Sequence, residues 1–520
     1  MVTRRALLAA PALAAQAARG AVYGHPLASK AGEAILAQGG TAIDAIVAGA
    51  LVCGVTALQS CGIGGYGGHA VIAVGGKVGT VDFNTMAPAA MRPDAFESNA
   101  RAMQHGWLAS GVPGTMAGLE LILAKFGTMK LRDVIEPALR YASEGFEVTA
   151  GAAASIKNLS ATLGADEGSA NLLLPGGRPP AAGDMLRNQR LARLLERFAK
   201  DNSAQEMYRG KAARIIGAAF HKHGGLVTAR DMAAYRARVI DPIRVEWRGY
   251  TVHFAPLTAG GITVAQAMRA LEAMQWEKLP AGRPHAFHRI EAMRLAWHDR
   301  LALLGDPEKA KVPAGRLMSA AYAEESAARV RKAVESRTLL SLGTDGRTQS
   351  GTVNLSAADS KGNMAALTLT HGDGFGACVT VDELGLILGH GMSRFDPSRQ
   401  HPNAPAPNKR PLTNMCPAIV TKNGAPVLAI GAQGGRRIPN AVYDVLTRYV
   451  GEDMPVEQAM NAPRMHTEGG LKLGLTAKWS DDDVAWFRLL GYDAGRGTSA
   501  GVSAASFDAT TGAVDGLSNI

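Results

Sequence analysis

The hydrophobic pattern of this chain changes twice along its 520 residues. Between positions 29 and 58 small and apolar residues dominate, and Gly39-Gly40 breaks the run before Thr41 and Asp44. That pattern predicts buried helices joined by a tight turn. A glycine-rich run at 60–68 then leads into a strand-like segment at 70–74. Its spacing is like G-x-G-x-x-G, but it precedes a strand instead of joining a strand to a helix. It is therefore read as close backbone packing near a site, not as a dinucleotide loop. From 107 to 345 the apolar positions recur mostly at helical period. Segment 286–304 is the clearest, with Phe287, Ile290, Met293, Trp297 and Leu304 on one broad face. Its His and Arg residues are expected on a solvated face. Segment 252–262 reads as a strand followed by a Gly-Gly turn.

Beyond 351 the pattern becomes short apolar runs between turns. Strands are predicted at 379–381, 386–388, 418–420 and 427–430, and an amphipathic helix at 436–450. The Pro- and Asn-rich stretch 396–411 is expected to be an exposed loop over a site. Strands early, helices between and strands again make an α+β layered fold.

The stretch 351–370 holds the most specific local signal. It reads as two strands around the polar turn Asp359-Ser360-Lys361-Gly362-Asn363. If the hairpin is symmetric about Lys361, Ala358 faces Met364 and Thr352 faces Thr370. Two hydroxyls would then lie opposite each other at the open end, directly after Gly351. A threonine whose own α-amine becomes free holds nucleophile and base in one residue. The plainer reading of the same pattern is a threonine placed for its β-propensity.

Other chemistry is sparse. Gly434-Gly435 stands between a predicted strand and a helix start, where backbone N–H groups can hold an oxyanion. Thr413-Asn414-Met415 precedes a strand and offers donors and acceptors. No G-x-S-x-G elbow occurs in a strand–turn–helix context. No His/Cys cluster suggests a metal, and no cofactor is expected.

Composition is that of a globular chain, with 47% hydrophobic and 19% charged residues. The net charge of +10 is spread along the sequence rather than clustered with aromatics, which argues against nucleic acid as a partner. Residues 1–20 combine Arg4-Arg5 with an Ala/Leu run, the make-up of an export leader of twin-arginine type. A periplasmic or extracellular location is expected. Segment 42–58 is the nearest approach to the ~18 apolar residues of a membrane span, but Asp44 and glycines interrupt it, so it is read as a buried helix and no span is expected. Four cysteines, Cys53, Cys61, Cys378 and Cys416, are too few for a disulfide scaffold, and their spacing selects no pair.

Taken in order, the motifs resemble the γ-glutamyltransferase family of N-terminal-nucleophile hydrolases. The resemblance covers about 25 to 515. It is carried by Gly39-Gly40-Thr41-Ala42-Ile43-Asp44-Ala45, the 62–68 loop, Val112-Pro113-Gly114-Thr115, Asp299-Arg300, Gly305-Asp306-Pro307, Pro411-Leu412, Gly434-Gly435 and Ala462-Pro463-Arg464. It implies a four-layer αββα sandwich made as a precursor and cut between Gly351 and Thr352. A large subunit, 21–351, would stay associated with a small subunit, 352–520. By the same resemblance Thr352 is the nucleophile, Thr370 its hydrogen-bonding partner, and Gly434 and Gly435 the oxyanion donors. Thr413, Asn414 and Met415 would line the substrate pocket.

The departures bear on the substrate. Typical members carry an Arg where this chain has Asn84, and an Asp where it has Arg394. Gly391 replaces a Gln, Gly372 an Asn, and Val353-Asn354 a Thr-His pair. Asn84 and Arg394 therefore enter the expected substrate-binding set with altered chemistry. The expected substrate is a small amide whose acyl part bears a carboxylate but no ammonium, oxamate-like or glutaryl-like. Two competing readings are a true glutathione hydrolase, with Arg436 and Arg437 supplying recognition, and a catalytically silent secreted binding protein.

Overall fold

The computed structural model describes residues 20–342 and 351–520. All of the proposed leader but Gly20, and the stretch 343–350 before the expected cleavage point, lie outside the described residues.

Two six-stranded sheets dominate. Their strands are β1 (Gly20–Tyr23), β2 (Gly67–Val74), β3 (Lys77–Asp82), β4 (Arg238–Ile240), β5 (Ile243–Trp247), β6 (Tyr250–Phe254), β7 (Val353–Asp359), β8 (Met364–Thr370), β9 (Ala418–Lys422), β10 (Ala425–Gln433), β11 (Gly501–Phe507) and β12 (Val514–Ser518). One sheet runs β1-β7-β8-β2-β3-β4 and the other β12-β11-β10-β9-β6-β5. All their ladders are antiparallel.

Period-two alternation explains the layering, because successive side chains on a strand point to opposite faces. On β2, Ala70 and Ile72 pack with helices α1 (Pro26–Ala37), α2 (Ala42–Thr56) and α3 (Thr115–Phe126). Val71 and Ala73 instead join Ala358, Met364, Ala366, Ile419, Ala429 and Ala505 in a core between the two sheets. On β10, Leu428, Ile430 and Ala432 face the other helical layer: α4 (Gly261–Ala273), α5 (Arg283–Leu303), α6 (Ala320–Glu335) and α7 (Arg437–Leu446). The order is helix, sheet, sheet, helix. Both faces of each sheet are covered, so strands such as β2 and β10 carry long apolar runs instead of strict alternation.

Segment 42–58 resolves as α2, buried along its whole length. Thr41 and Asp44 form its capping box. The Asp44 carboxylate also accepts the N–H groups of Thr128 and Met129 at 2.8 and 2.9 Å. Burial alone would raise its pKa, but these hydrogen bonds hold it below the usual carboxylate range. Among the described residues no helix is long and apolar enough to cross a membrane.

Residues on either side of position 352 are interleaved in both sheets. Strands β7 and β8 sit between β1 and β2, while β9 pairs with β6. A break before Thr352 would leave two chains sharing two sheets and three cores.

Three expectations are corrected. Most charged residues of α5 are not solvated: Arg289, Glu291, Arg294, Asp299 and Arg300 are buried, while Arg283 and His288 stay partly exposed. Their partners come from distant segments. Arg289 meets Asp444 at 3.4 Å, Asp299 accepts from the Tyr322 hydroxyl at 2.6 Å, and Arg300 donates to the Thr413 carbonyl. Stretch 396–411 is largely pinned, with Asn403, Lys409 and Arg410 buried and Arg410 3.4 Å from Asp82. Segment 252–262 is strand only as far as Phe254, and the Gly260-Gly261 pair expected as a turn opens α4. All four cysteines are free and buried.

Candidate active site

The β7–β8 hairpin takes the register that symmetry about Lys361 predicts, with Met364 opposite Ala358 and Leu369 opposite Val353. Asp359 builds the turn by accepting the N–H groups of Lys361 and Asn363 at 2.9 and 3.1 Å. The Asn354 side chain locks the strand to the second sheet, donating to Ser503 Oγ at 2.8 Å and accepting from Thr368 at 2.7 Å.

At the open end Thr352 and Thr370 meet, their hydroxyl oxygens 3.4 Å apart. Both hydroxyls also donate to the Gly351 carbonyl, at 2.6 and 2.5 Å. The Thr370 oxygen accepts the Gly372 N–H at 2.7 Å, which fixes its proton toward Gly351. Gly351 has φ +78, and a Cβ there would fall 2.8 Å from the Asp373 carbonyl carbon. Only glycine takes this left-handed position without strain.

The cleft at Thr352 is lined by Tyr66, Thr370, Gly372, Arg394, Asn414, Met415, Gly435 and Ile438. Gly434 and Gly435 join β10 to α7 with φ of +137 and +64. Arg394 and Asn414 also line an adjoining lobe with Arg300, Arg436, Asn403 and Trp297. The Arg394 guanidinium is held by the Gly372 carbonyl, by His390 Nε2 at 3.3 Å and by the Tyr66 hydroxyl, none of them a carboxylate. Burial pulls its pKa down, against the opposing effect of Tyr66 and Asp373. Burial together with the Arg436 charge pulls Arg300 down to about 10. Arg436 is paired with Glu468 at 2.7 Å.

Two of the expected substrate-binding residues are not among those lining the cleft. Asn84 is buried, its amide donating to Thr258 Oγ1 at 3.0 Å and to the Pro411 carbonyl at 2.8 Å. It braces the segment before Thr413. Thr413 is set back, its N–H on the Thr258 carbonyl at 2.8 Å. Conversely, sequence reasoning missed Tyr66, Ile438 and the role of Gly372 and His390. Tyr66 left a signal as the aromatic side chain in the 62–68 loop, and Gly372 as a departure from the family pattern.

A four-layer sandwich with a hydroxyl residue at the head of a central strand belongs to the N-terminal-nucleophile hydrolases. The comparisons with known proteins carry this to the family. A family model described as Gamma-glutamyltranspeptidase matches residues 28–498. A glutathione hydrolase proenzyme of Escherichia coli is 35% identical over 461 residues, 84% of this chain and 79% of that protein. An acylase ACY 1 proenzyme of a Pseudomonas species is 34% identical over 463 residues, 86% of this chain and 82% of that protein. The solved cephalosporin acylase of Bacillus halodurans superposes with a TM-score of 0.88 at 27% identity, covering 100% of this chain and 96% of that one. The chain belongs to the γ-glutamyltranspeptidase family and is an amidohydrolase or acyltransferase of that family.

Proposed function

We propose that the chain is a precursor that cuts itself between Gly351 and Thr352. The freed threonine then hydrolyses small amides whose acyl part bears a carboxylate. In the cut, Thr352 Oγ adds to the Gly351 carbonyl carbon and the C–N bond breaks to leave an ester. Water then releases the Gly351 carboxylate and the Thr352 α-amine. In turnover that amine takes the hydroxyl proton as Oγ adds to the substrate carbonyl, and passes it to the departing nitrogen. The N–H groups of Gly434 and Gly435 receive the developing negative charge. Water, or a second amine, resolves the acyl-threonine.

The observation that carries this reading is the meeting of both threonine hydroxyls on the Gly351 carbonyl oxygen, at 2.6 and 2.5 Å. The word proenzyme in the relatives' names supports a processed form. The interleaved strands support fragments that stay together, and the make-up of residues 1–20 supports export.

Arg394 supports the acyl preference. A guanidinium about 4 Å from a substrate ammonium costs about 4 kcal/mol at an effective dielectric of about 20. The same group attracts a carboxylate in bidentate geometry. The test compares glutaryl-p-nitroanilide with γ-glutamyl-p-nitroanilide, which adds the ammonium. Faster turnover of the glutaryl compound is expected. Turnover of the γ-glutamyl compound alone would reject the preference and favour glutathione-type hydrolysis.

A further inference from the structure

The wall of the cleft beside Thr370 contains a linked unit of Gly372, His390 and Arg394. His390 is buried, and its Nδ1 lies 2.9 Å from the Gln104 carbonyl. A carbonyl can only accept, so Nδ1 carries the proton and Nε2 presents a lone pair. Burial, reinforced by the Arg394 charge, pushes the His390 pKa down to about 3, so the ring is a neutral acceptor at ordinary pH. Arg394 Nη2 approaches that lone pair at 3.3 Å and also donates to the Gly372 carbonyl. One nitrogen of the guanidinium is thereby committed to two acceptors, which orients the rest of the fork. Arg394 is also braced from its own main chain, whose carbonyl accepts from Asn403 at 2.7 Å.

The unit depends on position 372 having no side chain. Gly372 has φ +100, and a Cβ there would fall 2.3 Å from His390 Cδ2, 2.6 Å from its Nε2 and 2.9 Å from Tyr66 Cε1. Any larger residue would push the imidazole away from Arg394. The glycine at 372 and the arginine at 394 therefore belong to one arrangement, in which the glycine makes room for the ring that aims the guanidinium.

We propose that His390 is a positioning residue that aims Arg394 at the carboxylate of the acyl group, so that Gly372, His390 and Arg394 together set the preference for acidic over neutral acyl donors. This rests on the acyl preference proposed above.

The experiment measures kcat and KM of the cleaved enzyme on glutaryl-p-nitroanilide and on butyryl-p-nitroanilide, which lacks the carboxylate. The readout is the glutaryl-to-butyryl ratio of kcat/KM. His390→Phe removes the acceptor and is expected to lower that ratio about tenfold, mainly through the glutaryl KM. His390→Gln keeps an acceptor oxygen and should restore the ratio to within about threefold of wild type. Gly372→Ala displaces the ring and carries the same expectation as His390→Phe, which covers a failure of the phenylalanine variant to fold. A ratio unchanged in both His390→Phe and Gly372→Ala, with kcat falling equally for the two substrates, would show a merely structural role and overturn the proposal. A wild-type ratio near one would instead remove the acyl preference on which the proposal stands.

Discussion

The two ends of the cleft are built from different material. At the reaction end the decisive features are backbone: Gly351 at φ +78, the β7–β8 register and the Gly434-Gly435 junction. At the recognition end they are side chains: Tyr66 from one loop, and His390 and Arg394 from one short turn, around a bare Gly372. Backbone geometry is fixed by sheet pairing and changes little while the fold persists. A wall of side chains can be rebuilt one residue at a time. The contrast explains how the proposed machinery for making an acyl-threonine can stand beside a recognition wall that departs from the family pattern.

The variants that strain this contrast most lie at the reaction end. Thr352→Ala should abolish cleavage and reduce amide hydrolysis by about 10⁴-fold or more, while the two sheets still form. Denaturing electrophoresis and a p-nitroanilide assay read both effects. Gly435→Ala should lower kcat by about 10²-fold, because the φ of +64 is strained for alanine and the proposed oxyanion N–H shifts with it. Arg394→Asp should act at the other end alone. It should cut kcat/KM for glutaryl-p-nitroanilide by about 10²-fold through KM and leave cleavage at Thr352 complete, as gel electrophoresis would report. If Arg394→Asp blocked cleavage, the two ends would not be separable.

The smallest effect concerns the scaffold. Burial pushes His69 down to about 4 despite Asp82 nearby, and pushes His253 to about 4 and His371 to about 3. These groups have folded pKa values below their unfolded value near 6.5. Between about pH 6.5 and 4 the unfolded chain binds more protons, so stability falls as pH falls through that window and is flat above it for these groups. Thermal unfolding from pH 7.5 to 4.5 should show the decline. It should appear equally in Thr352→Ala, since the rings belong to the framework and not to the nucleophile.

Legibility in the sequence followed the same division. The paired helices, the hairpin register and the glycine junction were readable because each depends on local turn chemistry and period. The α5 charges were misread because amphipathic spacing cannot reveal that Asp444, Tyr322 and the Thr413 carbonyl arrive from elsewhere to satisfy them. Asn84 was assigned to the wall by its place in the family pattern, yet its amide is spent on Thr258 and Pro411. His390 went unread. It stands only four residues before Arg394, but its importance arises where the fold brings the distant Gln104 carbonyl to the other ring nitrogen.

Intact-mass measurement of the purified, active protein tests the central claim most directly. Two polypeptides are predicted, the smaller with Thr352 at its amino terminus. One unbroken chain through position 352, turning over amides at full rate, would contradict it.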